Sequence, residues 1–154
     1  MYSQTATQVV RAPRAAVYSA LVDADAVARW RVPDDMTAEV LEWEARPGGR
    51  FRVSLTYVGE QLGKTEGGTD TYSGRFADLV ADAQVVEVLE FESADPALAG
   101  EMTMTTTLRD VDAGTEVELR HDGIPDAVRA EDNAAGTRMA LANLAAYVEA
   151  RAAG

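Results

Sequence analysis

Glu87 is the residue with the clearest capacity for chemistry, because it interrupts an otherwise apolar row. The segment 84–92 reads as a strand in which Val85, Leu89 and Phe91 share one side with it. A carboxyl group removed from water holds its proton more tightly and can serve as a general acid or base. A rim position, or a salt bridge to a cavity arginine, would explain the same pattern. Glu87 is therefore a candidate for catalysis, ligand contact or charge pairing.

His121 is the only histidine, and it stands beside Asp122 on the last predicted strand. An imidazole there can orient a ligand or relay a proton, or it can simply hydrogen-bond the nearby loop. The chain has no cysteine, which leaves no thiolate chemistry. Lys64 is its only lysine, which leaves few candidates for Schiff-base chemistry. One histidine and scattered acids offer no metal-ligand spacing, and no serine–histidine–acid arrangement is readable. We expect neither a metal nor a cofactor.

Two tryptophans and two methionines suit a ligand pocket, although all four also suit an ordinary core. Trp30 lies near the expected mouth of a cavity, and alternation over 36–45 places Trp43 on one face with Leu41. Met102 and Met104 follow the inward row of a later strand and would form an adaptable apolar wall. We expect Trp30 to contact a ligand more readily than Trp43.

Tyr57 and Tyr72 flank the segment 59–70, which predicts a long loop. Four glycines raise its chain entropy, and Leu62 is almost its only apolar anchor. We expect this loop to be mobile and to act as a lid, with the two tyrosine hydroxyls at the entrance. A disordered hairpin tip without a role is the alternative.

Composition limits the class of protein. A chain of 154 residues with 47% hydrophobic content predicts one domain, 1–154, that buries a sizeable core. The formal charge of −12, from 26 acidic and 14 basic residues, would repel phosphate backbones and anionic lipid headgroups. We expect no nucleic-acid or membrane partner, a cytoplasmic location, and a monomer or homodimer.

The predicted elements run as strand, two short helices, six consecutive strands and one long helix. Consecutive strands with short links favour an antiparallel meander, and a sheet with one apolar face must curl around the helix that covers it. The expected fold is α+β, with a curved antiparallel sheet of six to seven strands gripping its C-terminal helix. The predicted ranges are strand 5–10, helices 13–22 and 26–31, strands within 36–122, and helix 126–152.

The last helix organises this arrangement, since about 27 residues at 1.5 Å each span roughly 40 Å, the width of the whole domain. Pro125 and Asp126 mark its start, with the Asp126 carboxylate as the expected cap. The buried face should be uneven. Its first half carries only small residues and its second half carries large ones, namely Ala130, Ala134 and Thr137 against Leu141, Leu144 and Val148.

Several short motifs in this order resemble a known family. They are Ala12-Pro13 before the first helix, Ala28-Arg29-Trp30, the hairpin 46–51 (Arg-Pro-Gly-Gly-Arg-Phe), the tetrapeptide 114–117 (Gly-Thr-Glu-Val) and Leu141-x-x-Leu144. Together they resemble the activator of Hsp90 ATPase homologue-like family of the START-like, or SRPBCC, superfamily, over nearly the whole chain. The resemblance implies a helix-grip fold with a deep cavity for a hydrophobic molecule.

The chain departs from the family pattern at two positions. Members commonly carry Gly-Trp in the middle of the last helix, where this chain has Gly136-Thr137, and an aromatic residue where it has Arg31. Both changes remove aromatic bulk, and a void that large does not arise by accident in a densely packed interior. We expect a pocket there, with Trp30 at its mouth. Its walls would be Ala134, Thr137 and Leu141 on the helix and Tyr57, Tyr72, Phe76, Glu87, Leu89, Met104 and Thr106 on the sheet.

Three functions remain open from the sequence. The first is non-catalytic binding of a small hydrophobic molecule. The second is a cofactor-free cyclase or dehydratase, with Glu87 as acid or base beside His121 or a tyrosine. The third is a chaperone-associated interaction protein with an Hsp90-type partner, which only the name of the family suggests. The fold itself does not select among them.

Overall fold

The computed structural model describes residues 1–33, 35–57, 69–93 and 95–153. Within these ranges the chain forms one antiparallel sheet of seven strands, three α-helices and a short 3-10 turn at Pro96–Leu98. This confirms the predicted α+β helix-grip architecture. The elements in chain order are β1 (Tyr2–Val10), α1 (Arg14–Val22), α2 (Ala24–Trp30), β2 (Met36–Trp43), β3 (Arg50–Tyr57), β4 (Thr69–Val80), β5 (Gln84–Phe91), β6 (Met102–Val111), β7 (Gly114–Ile124) and α3 (Ala130–Ala153).

The sheet order is β1-β7-β6-β5-β4-β3-β2, with every neighbouring pair antiparallel. Strands β2 to β7 therefore follow one another across the sheet as a meander. Strand β1 joins the far side by pairing with β7, so β1 and β2 lie at opposite edges. Helices α1 and α2 carry the chain between those edges, and α3 returns across the curved face.

A β-bulge corrects one expectation in β2. The ladder with β3 shifts between Val40 and Glu42, so Leu41 is the extra residue. Leu41 does not share a buried face with Trp43. It is 45% exposed, while Trp43 packs against the core. A prediction based on strict alternation along the sequence does not reveal this extra residue.

Gly74 in β4 marks a close approach of two strands. A Cβ atom at this position would lie 2.0 Å from the backbone oxygen of Val88 on β5. Only glycine fits there without a shift of backbone. The contact brings β4 and β5 together beside the inward residues Tyr72 and Phe76.

Helix α3 begins at Ala130 rather than at Asp126, because residues 125–129 form a turn. The Asp126 carboxylate does not cap the helix. It binds the N-terminal ammonium group instead, at 2.7 Å. Gln4 on β1 then fixes the first turn, donating to the Ala130 carbonyl at 2.8 Å and accepting from the Asn133 amide at 2.7 Å.

The two halves of α3 pack differently, as the uneven helix face predicts. The second half is anchored in the hydrophobic core by four buried residues, Leu141, Leu144, Ala145 and Val148. The first half is held mainly by its polar bonds to β1, and Ala130, expected on the buried face, is exposed. Space therefore remains between the first half of α3 and the sheet.

Candidate functional site

A cavity of about 280 Å³ occupies this space. The sheet supplies one wall through β4 to β7, and the first half of α3 supplies the other. The end of α2 contributes Trp30 and Arg31, and β3 contributes Leu55. Most of the wall is apolar. Polar side chains come from Arg31 and from the sheet, including Tyr72, Glu87 and His121, and from Asp132, Asn133 and Thr137 on α3.

Strand register explains why these polar groups meet. Glu87 on β5 lies opposite Met104 on β6, and Met104 lies opposite His121 on β7. The three residues form one row across the sheet, and neighbouring strands are about 4.8 Å apart. Side chains of directly opposed residues point to the same face. Glu87, Met104 and His121 therefore all reach the concave side, toward α3.

Arg31 and Glu87 form an ion pair inside the cavity. Nη1 of Arg31 donates to Oε2 of Glu87 at 2.7 Å, and the side chains are only 14% and 5% exposed. Nη2 of Arg31 lies 3.3 Å from the Met104 sulfur, which places the guanidinium over the same row. Burial opposes the charge on Arg31, but the Glu87 carboxylate raises the pKa of Arg31 above its usual value. This is the salt bridge to a cavity arginine that the sequence left open for Glu87.

Tyr72 lies against this pair. Its ring centroid is 5.3 Å from the Arg31 guanidinium carbon, a cation–π distance. The residue is 7% exposed, and within the described ranges its hydroxyl has no hydrogen-bond partner. Burial raises the pKa of Tyr72, with Arg31 opposing and Glu87 adding to the effect. The hydroxyl is thus protonated at neutral pH and able to donate.

His121 on β7 is another buried polar residue of the cavity wall. It is 8% exposed, and its Nε2 atom has no hydrogen-bond partner among the described residues. Burial and the nearby positive charge of Arg31 lower the pKa of His121 to about 4, against the opposing effect of Asp122. The imidazole is therefore neutral at pH 7. Burial and Arg31 outweigh the adjacent carboxylate.

Trp30 and Thr137 line the cavity but already have partners for their polar atoms. The Trp30 indole N–H donates to the Ala20 carbonyl at 2.8 Å, which ties α2 to α1. The Thr137 hydroxyl donates to the Asn133 carbonyl one helical turn earlier, at 2.9 Å. These two residues shape the wall, while Tyr72 and His121 keep unpaired polar atoms.

The structure gathers most of the predicted site residues around this cavity. Seven of them line it, together with the second catalytic candidate His121: Trp30, Tyr72, Glu87, Leu89, Met104, Thr106 and Thr137. The side chain of Tyr57 lies outside the described residues. So does nearly all of the predicted lid, since residues 58–68 are not described.

Three predicted residues occupy other places. Phe76 is fully buried in an aromatic cluster, with its ring centroid 5.1 Å from those of both Trp43 and Phe51. Leu141 lies in the packed core beneath the second half of α3. Ala134 faces a separate groove of about 200 Å³ between α3 and β1, which shares Leu119, His121 and Thr137 with the cavity.

Sequence reasoning missed Arg31 as a site residue, along with four residues on the helix wall. Arg31 was noted only as a loss of aromatic bulk. The helix wall includes Asp132, Asn133, Gly136 and Ala140 in place of Ala134 and Leu141, which is a rotation of the expected helix face. An unpaired Glu87 on an inward row was the one available signal for a buried arginine.

Within the described ranges, no three histidine, aspartate or glutamate residues are grouped so as to hold a metal ion. None of the helices in those ranges is long and apolar enough to cross a membrane.

Comparison with known proteins gives consistent matches. The family model described as Activator of Hsp90 ATPase homolog 1-like protein matches residues 11–149. Protein CV1439 from Chromobacterium violaceum is similar, with a TM-score of 0.85 and 30% identity, covering 97% of this chain and 99% of that chain. An AHSA1-like protein from Aeromonas hydrophila shares the fold at a TM-score of 0.76 and 19% identity, covering 98% of this chain and 94% of that one. No curated protein matches the chain.

Proposed function

We propose, on the premise that the chain belongs to the Activator of Hsp90 ATPase homolog 1-like family, that it binds a small, mainly apolar molecule between the sheet and α3. The fold of this family commonly binds hydrophobic ligands. The observation that carries the proposal is the cavity itself, about 280 Å³ in an interior whose other half is tightly packed. Protein interiors do not leave such a volume without a reason.

The size of the cavity limits the ligand. A dry apolar cavity of about 150 Å³ is enough for benzene. A volume of about 280 Å³ therefore suits a molecule of about two rings, just below the range of roughly 300–1,000 Å³ that is usual for small-molecule sites. Long acyl chains and multi-ring lipids would extend beyond this volume.

The test is a ligand screen on freshly purified protein. Native mass spectrometry should reveal a co-purified small molecule, or thermal shift should identify apolar two-ring compounds that stabilise the protein. A ligand at 100 times its Kd adds about 2.7 kcal/mol, which raises Tm by roughly 5–11 °C for a domain of this size. The proposal fails if native mass spectrometry detects no bound molecule and no compound in a broad apolar panel raises Tm.

Filling the cavity provides the matched control. Thr137→Trp should place an indole in the cavity and abolish the thermal shift, while Ala135→Trp places the same group on an exposed face of the same helix half. We expect Ala135→Trp to bind as the wild type does. Ligand binding that survives Thr137→Trp would place the site elsewhere.

A further inference from the structure

We infer that the ligand carries an uncharged oxygen group, a hydroxyl or a carbonyl, at the end that meets Arg31, Tyr72 and His121. This rests on the proposed function and specifies the chemistry of the molecule bound. Two features of the cavity support it, namely the balance of its buried charges and its unpaired polar atoms.

The buried charges in the cavity already balance, and the further charged residue on its wall, Asp132 on α3, is exposed. Arg31 and Glu87 are in contact at 2.7 Å and are both largely buried, so together they present no net charge. A ligand carboxylate would meet Glu87, and a ligand ammonium would meet Arg31. Either ion would be desolvated beside a pair that attracts it only weakly, and buried charge without a counter-charge is costly. The formal charge of −12 on the chain further disfavours anions.

The unpaired polar atoms favour a ligand with an oxygen atom that can form hydrogen bonds. Tyr72 and His121 line the same cavity, and the Tyr72 hydroxyl and the His121 Nε2 atom lack partners in the described part of the chain. A buried polar atom left unpaired costs free energy that a ligand atom can recover. A tyrosine hydroxyl can donate to a carbonyl or hydroxyl oxygen, and a neutral imidazole nitrogen can pair with a hydroxyl in either tautomer. A purely hydrocarbon ligand would leave both atoms unsatisfied.

Four probes with one naphthalene skeleton separate these possibilities by calorimetry at pH 7.5. They are naphthalene, 2-naphthol, 2-naphthoate and 2-naphthylmethylammonium. We expect 2-naphthol to bind at least about tenfold more tightly than each of the other three. Equal binding of naphthalene and 2-naphthol would overturn this inference and leave the proposed function standing. Tighter binding of either ion would also overturn it. Binding of none of the four would reject both the inference and the proposed function for two-ring molecules.

Two variants test the role of the named groups. Tyr72→Phe removes one of the two hydrogen-bonding partners and should lower the preference for 2-naphthol over naphthalene, whereas Tyr147→Phe, outside the cavity, should keep that preference. Glu87→Gln leaves Arg31 without its counter-charge and should bind 2-naphthoate at least about tenfold more tightly than the wild type does. If Tyr72→Phe keeps the full preference for 2-naphthol, the inference is wrong, whether or not Glu87→Gln folds.

Discussion

The guanidinium of Arg31 and the carboxylate of Glu87 meet at 2.7 Å although 56 residues separate them in the chain. Their contact joins the end of α2 to the middle of the sheet and sits within the largely apolar wall of the cavity. The pair therefore sets both the electrostatics of the site and the position of α2 above it.

The first prediction concerns the stability of this pair. Glu87→Leu leaves a buried guanidinium without its counter-charge and should lower the free energy of unfolding by about 3 kcal/mol, at the lower end of the usual range because Arg31 keeps some exposure. Arg31→Met combined with Glu87→Leu should recover most of that loss, since no charge then remains unpaired. Urea unfolding of the three proteins measures both effects.

The surface pair Arg52–Glu92, at 2.8 Å, serves as the control for that experiment. Replacing Glu92 by leucine should change the free energy of unfolding by no more than about 1 kcal/mol, as is usual for exposed ion pairs. If the double variant at 31 and 87 is as unstable as Glu87→Leu, packing and not charge is responsible.

The second prediction is a loss of stability in mild acid through His121. An unfolded histidine takes up a proton as the pH falls through about 6.5, but burial and Arg31 hold the pKa of His121 at about 4 in the folded protein. Between these values the unfolded state binds more protons, so stability falls as the pH falls. At pH 5 the loss relative to pH 7.5 should be about 2 kcal/mol.

Comparison with His121→Gln isolates this contribution, because the carboxylates that also titrate are common to both proteins. The wild type should lose about 2 kcal/mol more than the variant between pH 7.5 and pH 5. NMR titration of the single imidazole gives the pKa directly. An apparent pKa near 6.5 in the folded protein would contradict the buried, unprotonated state described above.

The third prediction addresses the packed half of α3. Leu144 is fully buried, so Leu144→Ala should create a cavity and lower the free energy of unfolding by about 2–5 kcal/mol. Met139 on the same helix is 37% exposed, and Met139→Ala should cost less than about 1 kcal/mol. Chemical denaturation compares the two. Similar losses would mean that the two faces of the helix are not packed differently.

The fourth prediction uses two glycines with opposite surroundings. Gly74→Ala would place a Cβ atom 2.0 Å from the Val88 oxygen and should destabilise the sheet strongly, since backbone must move. Gly136→Ala meets nothing within 4 Å and should stabilise α3 by up to about 1 kcal/mol through helix propensity. Thermal unfolding shows the sign of each change. A neutral Gly74→Ala would mean that β4 and β5 separate easily.

Local patterns were sufficient to predict the strand faces. The inward rows of β4, β5 and β6, including Tyr72, Glu87, Leu89 and Thr106, followed from period-two alternation, which depends only on the pleat of the chain. The bulge at Leu41 was not predictable in this way, because one extra residue leaves no mark on a run of mixed polarity.

The role of Arg31 depended on contacts between distant segments. Its partner Glu87 lies on another element, and no local pattern assigns one to the other. Phe76 and Leu141 share a face with cavity residues, but the aromatic rings and the buried half of α3 close around them. Which part of an inward row stays open is decided by tertiary packing, and a single sequence carries little record of it.

The unequal attachment of α3 separates two kinds of evolutionary constraint along one helix. Substitutions at Leu141, Leu144 or Val148 alter the core and face selection against unfolding. Substitutions at Asn133, Gly136, Thr137 or Ala140 alter the cavity wall, where an added or removed group meets open space before it meets packed atoms. Under the proposed function, substitutions in the first half of the helix would therefore change the molecule bound, while the second half keeps the fold intact.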